Sequence, residues 1–193
     1  MKKLPLKFFN RETEQVAKDL IGCYLVNKTP EGKIIGKIVE TEAYLQDDPS
    51  SHSFNGLTKR NSPMFSHPGT IYIYFTYGMH HCFNIATRKK GIGEAVLIRA
   101  LEPIKGIELM KKRRNTDKVK SLCNGPAKLV QSLAISPNLN NTQINSSSLK
   151  ILKPKNNKLR IKTSKRIGIS RGSELPLRFC IENNEFVSKT TTK

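Results

Sequence analysis

Apolar residues recur along this chain at two different spacings, and the switch between them predicts the elements. Val16, Leu20 and Ile21 recur at helical spacing behind Asn10-Arg11-Glu12-Thr13, which reads as a helix start with Asn10 as cap and Thr13 at the third position. From Ile21 to Val26 the pattern turns strand-like, Thr29-Pro30-Glu31-Gly32 reads as a turn, and Ile34 to Tyr44 reads as a strand. Residues 46–70 carry Asp, Ser, Gly, Asn and Pro with no sustained period. A long irregular stretch of that kind inside a compact domain is often functional. Ile71 to Tyr77 alternates most clearly, with Ile71, Ile73 and Phe75 on one face and Tyr72, Tyr74 and Thr76 on the other. Gly78 punctuates it, and His81 to Thr87 can return as a hairpin partner.

Ala95 to Leu101 predicts a further apolar strand, and Pro103 is expected to open a helix running to Arg114. Gly125-Pro126 precedes a second helix with Leu129, Val130, Leu133 and Ala134 on its apolar side, and Ser136 to Ser148 reads as a surface loop. Leu149–Leu152, Arg166–Ile169 and Leu177–Ile181 read as short strands, and Thr190 to Lys193 as a frayed end. With no internal repeat or linker, the 193 residues are expected to form one domain, its core spanning about 9–188.

Charge adds a partner. Lys and Arg number 34 against 15 Asp and Glu, a formal net charge of +19, and such an excess attracts polyanions, nucleic acid first among them. Part of that charge reflects a chain that uses Lys as its ordinary surface residue. No long apolar run or cationic amphipathic helix points to a membrane. Cys23, Cys82, Cys123 and Cys180 form no CxxC pair, and the amino-terminal Met1-Lys2-Lys3-Leu4-Pro5 lacks the apolar stretch of a signal peptide. Reduced thiols and a cytoplasmic location are expected.

Three constellations could carry chemistry. On the strand 34–44, Glu40, Glu42 and Tyr44 project from one face at a spacing of roughly 7 Å, suited to acid–base work, to a metal, or only to a solvated face. Tyr72, Tyr74 and Tyr77 could stack on nucleobases or wedge into a duplex, or simply favour a strand. Arg99, inside an apolar strand, needs an anionic partner such as Glu42, Glu102 or a phosphate unless that strand lies exposed at a sheet edge. His52, His67, His80, His81 and Cys82 match no common zinc spacing, so no metal is expected. Lys111-Lys112-Arg113-Arg114 reads as a basic helix end suited to phosphate contact or to solvent. Two rival functions are a magnesium-dependent nuclease using Glu40, Glu42 and Asp47 or Asp48, and a non-enzymatic RNA-binding module.

The ordered fragments resemble a known family. Gly36 to Tyr44, Ser51-His52-Ser53, Thr58-Lys59-Arg60-Asn61, Met64-Phe65, Pro68 to Tyr74, Tyr77-Gly78-Met79, Asn84, Val96 to Pro103 and Asn124 to Leu129 are similar, in sequence and spacing, to the alkyladenine (3-methyladenine) DNA glycosylases, in a form resembling the bacterial members. The resemblance runs from about Phe9 to Ser188. It implies a mixed α/β (α+β) domain with a curved antiparallel sheet, helices around it and a protruding DNA-inserting hairpin. It further implies a monomeric, cofactor-free enzyme that flips a damaged purine out of double-stranded DNA and hydrolyses its glycosidic bond.

Carried over by motif, Glu42 is the water-activating base, and Arg99 and the backbone carbonyl of Ile167 hold the water. Tyr44, His52 and Tyr74 are walls of the base pocket, Asn84 crowds a guanine 2-amino group, and Tyr77 fills the gap left by the flipped base. Thr58, Arg60, Met64, Tyr72, Met79, Gly125 and Lys128 are the implied DNA contacts. Glu40 is read as structural or polar support. Ala95 and the Phe179-Cys180 region are not typical of every member and bear on pocket width and lesion range.

Overall fold

The computed structural model describes residues 1–76, 78, 80–155 and 158–188. Among the described residues the fold is mixed α/β, with three α-helices and one open antiparallel sheet. The strands are β1 (Lys2–Lys3), β2 (Tyr24–Thr29), β3 (Gly32–Tyr44), β4 (Ile71–Thr76), β5 (His80–Ala86), β6 (Ala95–Lys105), β7 (Leu149–Lys153), β8 (Ile161–Ser164) and β9 (Arg178–Ile181). The main path runs β1-β7-β2-β3-β6-β5-β4, and β8 joins through β9, which pairs with β3. The 13-residue β3 organises the sheet: β6 lies along one edge, β2 covers the first half of the other, and β9 covers Glu40 to Glu42 in its second half.

Period-two alternation divides this sheet into two environments. Ala43, Ile71, Ile73, Phe83, Ile85, Val96 and Ile98 enter the main core, against α1 (Thr13–Leu20) and α3 (Pro126–Ser132). The opposite face of β3–β6–β5–β4 is polar and aromatic, and it builds the site. Helix α1 buries Val16, Ala17 and Leu20 as its spacing predicts, and the Thr41 hydroxyl donates to the Ala17 carbonyl at 2.9 Å, tying it to β3.

Several sequence expectations are corrected. The cap of α1 is Glu12, with no side-chain cap bond, rather than Asn10, and β2 begins at Tyr24 rather than Ile21. Pro103 does not open a helix. It continues β6 to Lys105, and α2 (Ile107–Arg114) starts only after Gly106, whose φ of 78° reverses the chain where an L side chain would be strained. Residues 166–169 are irregular, with a bend at Ile167 and Gly168, rather than a strand, and the strand in this region is β8, at 161–164. Residues 136–148 do more than loop over the surface. The Asn141 N–H donates to Ile71 O at 2.8 Å, the Ile73 N–H donates to Asn140 Oδ1 at 2.9 Å, and Ile144 is buried. This segment satisfies the free edge of β4, which would otherwise present unpaired backbone groups. The frayed end expected at 190–193 lies outside the described residues.

All four cysteines are free and buried. Among the described residues, no helix is long and apolar enough to cross a membrane.

Candidate active site

A row of paired residues crosses four strands: Tyr72 opposite Asn84, Asn84 opposite Leu97, and Leu97 opposite Glu42. A second row adds Tyr74 opposite Cys82. Directly opposite residues share a face, so these side chains converge by strand geometry alone. Tyr72, Tyr74, Cys82, Asn84 and Leu97 floor a cavity of about 330 Å³, closed by Tyr44, His52, Met64, Pro126 and the Ile167-Gly168-Ile169 segment.

At the β3–β6 ladder the register slips three times, and the two slips either side of Glu40 skip Val39 on β3 and Arg99 on β6. Such bulges re-aim a side chain. Here the freed Arg99 reaches both glutamates, with Nε 3.2 Å from Glu40 Oε1 and 3.5 Å from Glu42 Oε1, and it lines the cavity as well. β6 is flanked by β3 and β5, so the exposed-edge alternative for Arg99 is excluded, and its anionic partners include Glu40.

Glu42 is fully buried just beneath the cavity surface, behind Tyr44, Arg99 and Ile167, which line it. The Ile167 N–H donates to Oε1 at 3.0 Å and the Tyr44 hydroxyl to Oε2 at 3.0 Å. Burial pushes the Glu42 pKa above the ordinary carboxylate value. Arg99, the Ile167 N–H and the Tyr44 hydroxyl oppose that rise, and the charge of Glu40 adds to it. No Asp or Glu is among the described residues lining the cavity.

Glu40 differs in its hydrogen-bond partners, which come from β9 and Ser188 rather than from residues that line the cavity. It is buried, yet bonded on both oxygens: Arg178 Nε at 2.5 Å and the Ser188 hydroxyl at 2.8 Å on Oε1, and the Ser188 N–H at 2.7 Å on Oε2. Arg178, in turn, bonds the Ser164 hydroxyl and the Ser188 carbonyl. The paired glutamates therefore separate into one held by three donor groups away from the cavity and one beside the cavity. Neither they nor Asp48, which pairs with Arg166, are free as a set for a metal ion, and no group of three or more His, Cys, Asp or Glu among the described residues is placed to hold one.

The walls follow from the same register. His52 and Tyr74 meet edge to face with centroids 4.5 Å apart, and the Tyr72 hydroxyl bonds His52 Nδ1 at 2.8 Å. Desolvation and then the nearby positive Arg60 hold His52 below its usual pKa, so the ring is neutral at pH 7. Asn84 is buried, its amide donating to Tyr72 O at 3.1 Å, which fixes its orientation. Tyr44 is held by the Arg166 guanidinium, stacked 4.7 Å above its ring. Arg166 also donates to Ala43 O, Gly172 O and both carboxylate oxygens of Asp48.

Of the expected DNA contacts, Thr58 and Arg60 are exposed, and Arg60 borders the cavity with its guanidinium 5.9 Å from the Tyr74 ring. Met64 and Tyr72 are buried and line the cavity. Gly125 is the buried residue before α3, and Lys128 is half-buried, with Nζ 2.8 Å from Asn124 Oδ1. Tyr77 and Met79 lie outside the described residues.

Sequence reasoning missed Arg178, Ser188, Asp48 and Asn61 as organisers. Arg178 carries the signal that picked out Arg99, a guanidinium in an apolar strand. Asn61 is buried and ties the irregular segment together, donating to His52 O at 2.7 Å and Gly56 O at 2.9 Å. Ser188 has no signal in the sequence.

The site is thus a buried carboxylate beneath an aromatic cavity, with no Asp or Glu among the described residues of its lining. The chain matches the family described as Methylpurine-DNA glycosylase (MPG) over residues 7–185. It is 49% identical over 189 residues to a protein of Carboxydothermus hydrogenoformans, covering 96% of this chain and 98% of that one. It is 51% identical over 182 residues to one of Francisella tularensis subsp. tularensis (92% and 94%), and 46% identical over 190 residues to one of Methanoculleus marisnigri (96% and 98%). Each of these relatives carries the name "Putative 3-methyladenine DNA glycosylase". The chain belongs to the methylpurine-DNA glycosylase family.

Proposed function

We propose that this chain is a monofunctional DNA-repair glycosylase that removes alkylated or otherwise damaged purines of the 3-methyladenine type from double-stranded DNA, starting base excision repair. The observation that carries this reading is Glu42: a buried carboxylate that accepts from Tyr44, Ile167 and Arg99 directly under an aromatic cavity, in a chain of this family. A base inside a duplex cannot reach a cavity floored by a β-sheet, so the nucleotide must be turned out of the stack. Tyr44, His52 and Tyr74 supply π faces for the base, which attract a cationic alkylpurine more than a neutral one. Asn84, fixed on Tyr72 O, presents its amide to the base edge, where it disfavours a guanine 2-amino group.

In this mechanism a water between Arg99, the Ile167 backbone and Glu42 gives its proton to the Glu42 carboxylate as its oxygen attacks C1′. The electron pair of the C1′–N9 bond leaves with the purine. A 3- or 7-alkylated purine carries positive charge and departs neutral, so the acid that ordinary glycosidases place opposite their base is not needed. The raised pKa of Glu42 suits this role, because a stronger base takes a proton from water more readily. Tyr77 is the residue we place in the gap left by the flipped base. Thr58, Arg60, Met64, Tyr72, Met79, Gly125 and Lys128 form the surrounding DNA surface, and the +19 charge supplies long-range attraction. The enzyme works as a cytoplasmic monomer without a cofactor.

The test is base release from duplexes carrying single 3-methyladenine, 7-methylguanine, ethenoadenine or hypoxanthine lesions, with chelator present. Free base and abasic sites are expected, and Glu42→Gln should retain lesion binding while losing base release. Strand breaks that require magnesium, or near-parent turnover by Glu42→Gln, would overturn the reading.

A further inference from the structure

Glu42 shares its guanidinium. Arg99 Nε donates to the Ser188 hydroxyl at 3.1 Å and lies 3.2 Å from Glu40 and 3.5 Å from Glu42, while its Nη1 donates to Glu42 Oε2 at 3.5 Å. Glu40 is anchored from the far side by Arg178 Nε at 2.5 Å and by the Ser188 N–H at 2.7 Å. Two buried carboxylates and two guanidiniums thus form a charge-balanced line from β9 to the cavity, with Arg99 as the divided member. We propose that Glu40, held by Arg178 and Ser188, is a positioning residue that draws Arg99 away from Glu42 and so preserves the basicity of Glu42 toward water.

The physical reason is competition for one cation. A carboxylate that accepts a full ion pair is a weaker base than one that shares it. If Arg99 paired with Glu42 alone, the carboxylate would be stabilised as the anion and would be slower to take a proton. Glu40 limits that stabilisation in two ways, by attracting the guanidinium of Arg99 from 3.2 Å and by its own negative charge beside Glu42. Arg178 keeps Glu40 from claiming Arg99 entirely. The other titratable groups facing Glu42 do not compete for Arg99 in this way: Tyr44 from β3 is a donor to Glu42, and Tyr74 from β4 and Cys82 from β5 are neutral. Arg166, beyond the Tyr44 ring, is already paired with Asp48.

This inference rests on Glu42 being the base, and it predicts opposed shifts that a purely structural role would not give. The measurement is the pH profile of single-turnover base release, with whichever lesion of the panel is released fastest, for folded variants. Glu40→Gln should move the acid limb to lower pH by about one unit and lower the plateau severalfold, because a weaker base is a slower one. Arg178→Met should move the acid limb upward, and Arg178→Lys, which keeps the charge, should fall between Arg178→Met and the parent. If Glu40→Gln does not fold, the order parent, Arg178→Lys, Arg178→Met carries the test alone. Acid limbs that superimpose on the parent's, or that shift in the same direction for Glu40→Gln and Arg178→Met, overturn the proposal. Glu42→Gln in the same assay separates the two claims. Its inactivity alongside unmoved limbs sinks only the role of Glu40, and its near-parent activity sinks the base assignment itself.

Discussion

Removing Asp48 should cost this protein much of its stability without touching a base-pocket side chain. Asp48 and Arg166 lie 118 residues apart, with side chains 1% and 0% exposed, and they meet through two guanidinium–carboxylate bonds. In Asp48→Ala the guanidinium would keep only the Ala43 and Gly172 carbonyls, a buried cation without an anion. Breaking a buried pair from one side costs about 3–5 kcal/mol. For a domain of this size each kcal/mol moves Tm by about 2–4 °C, so a fall of roughly 6–20 °C is expected. That is a large part of a typical total of about 5–15 kcal/mol. Thermal unfolding followed by circular dichroism measures it. The double variant Asp48→Leu with Arg166→Met, which removes both charges, should recover most of the loss. The sign with pH is also fixed. Burial alone would raise the Asp48 pKa, but the bonds from Arg166 and Ser50 outweigh it, and the net value lies below the ordinary one. The pair therefore stabilises fully above the unfolded-state pKa, and its contribution fades as pH falls through the lower folded value. The gap between parent and Asp48→Ala should narrow in acid. A Tm within about 3 °C of the parent at neutral pH would refute the reasoning.

Three further outcomes are expected. Glu42→Gln should be at least as stable as the parent at neutral pH: its folded pKa is raised, so ionisation above the unfolded value costs stability, and the difference should vanish in acid; a lower Tm at neutral pH contradicts this. Gly93→Ala would place a Cβ 2.4 Å from the Phe65 ring, which packs against the Met64–Tyr72–Ala95 cluster beneath the pocket; a loss of about 1–3 kcal/mol with weakened lesion binding is expected, and unchanged unfolding and affinity would show that the ring yields freely. Duplex binding should weaken steeply with salt, by about 10³-fold between 50 and 200 mM if roughly six phosphates are neutralised; a change under about tenfold in anisotropy titrations would leave the +19 charge without a large role in contact.

How much was legible in the sequence depended on the range of each cause. The alternation of Ile71 to Thr76 is local, and it correctly divided core from pocket faces. The basic stretch ending at Arg114 is helical as expected, but its start was misplaced, because Pro103 fits a strand end as well as a first helical turn. The double register slip around Arg99 depends on two strands at once and has no signature in either. The same holds for Asp48 with Arg166 and for Glu40 with Ser188, partners more than a hundred residues apart. Glu40 was read as support from the resemblance, and the structure adds what it supports. Arg178 was within reach, since the rule applied to Arg99 applies to it unchanged.

The buried cysteines bear on the chemical setting in which such an enzyme operates. Cells that accumulate alkylated purines contain the electrophiles that made them, and a thiolate is a far better target for those reagents than a purine nitrogen. Here burial pushes Cys23 and Cys123 up to about 12, and Cys82, in the cavity lining, is raised by the same desolvation, as is Cys180. At pH 7 a thiol of pKa about 12 is ionised in about one molecule in 10⁵, and the nucleophilic form is almost absent. The packing of the core thus holds Cys23 and Cys123 as neutral thiols, the form that reacts slowly with electrophiles.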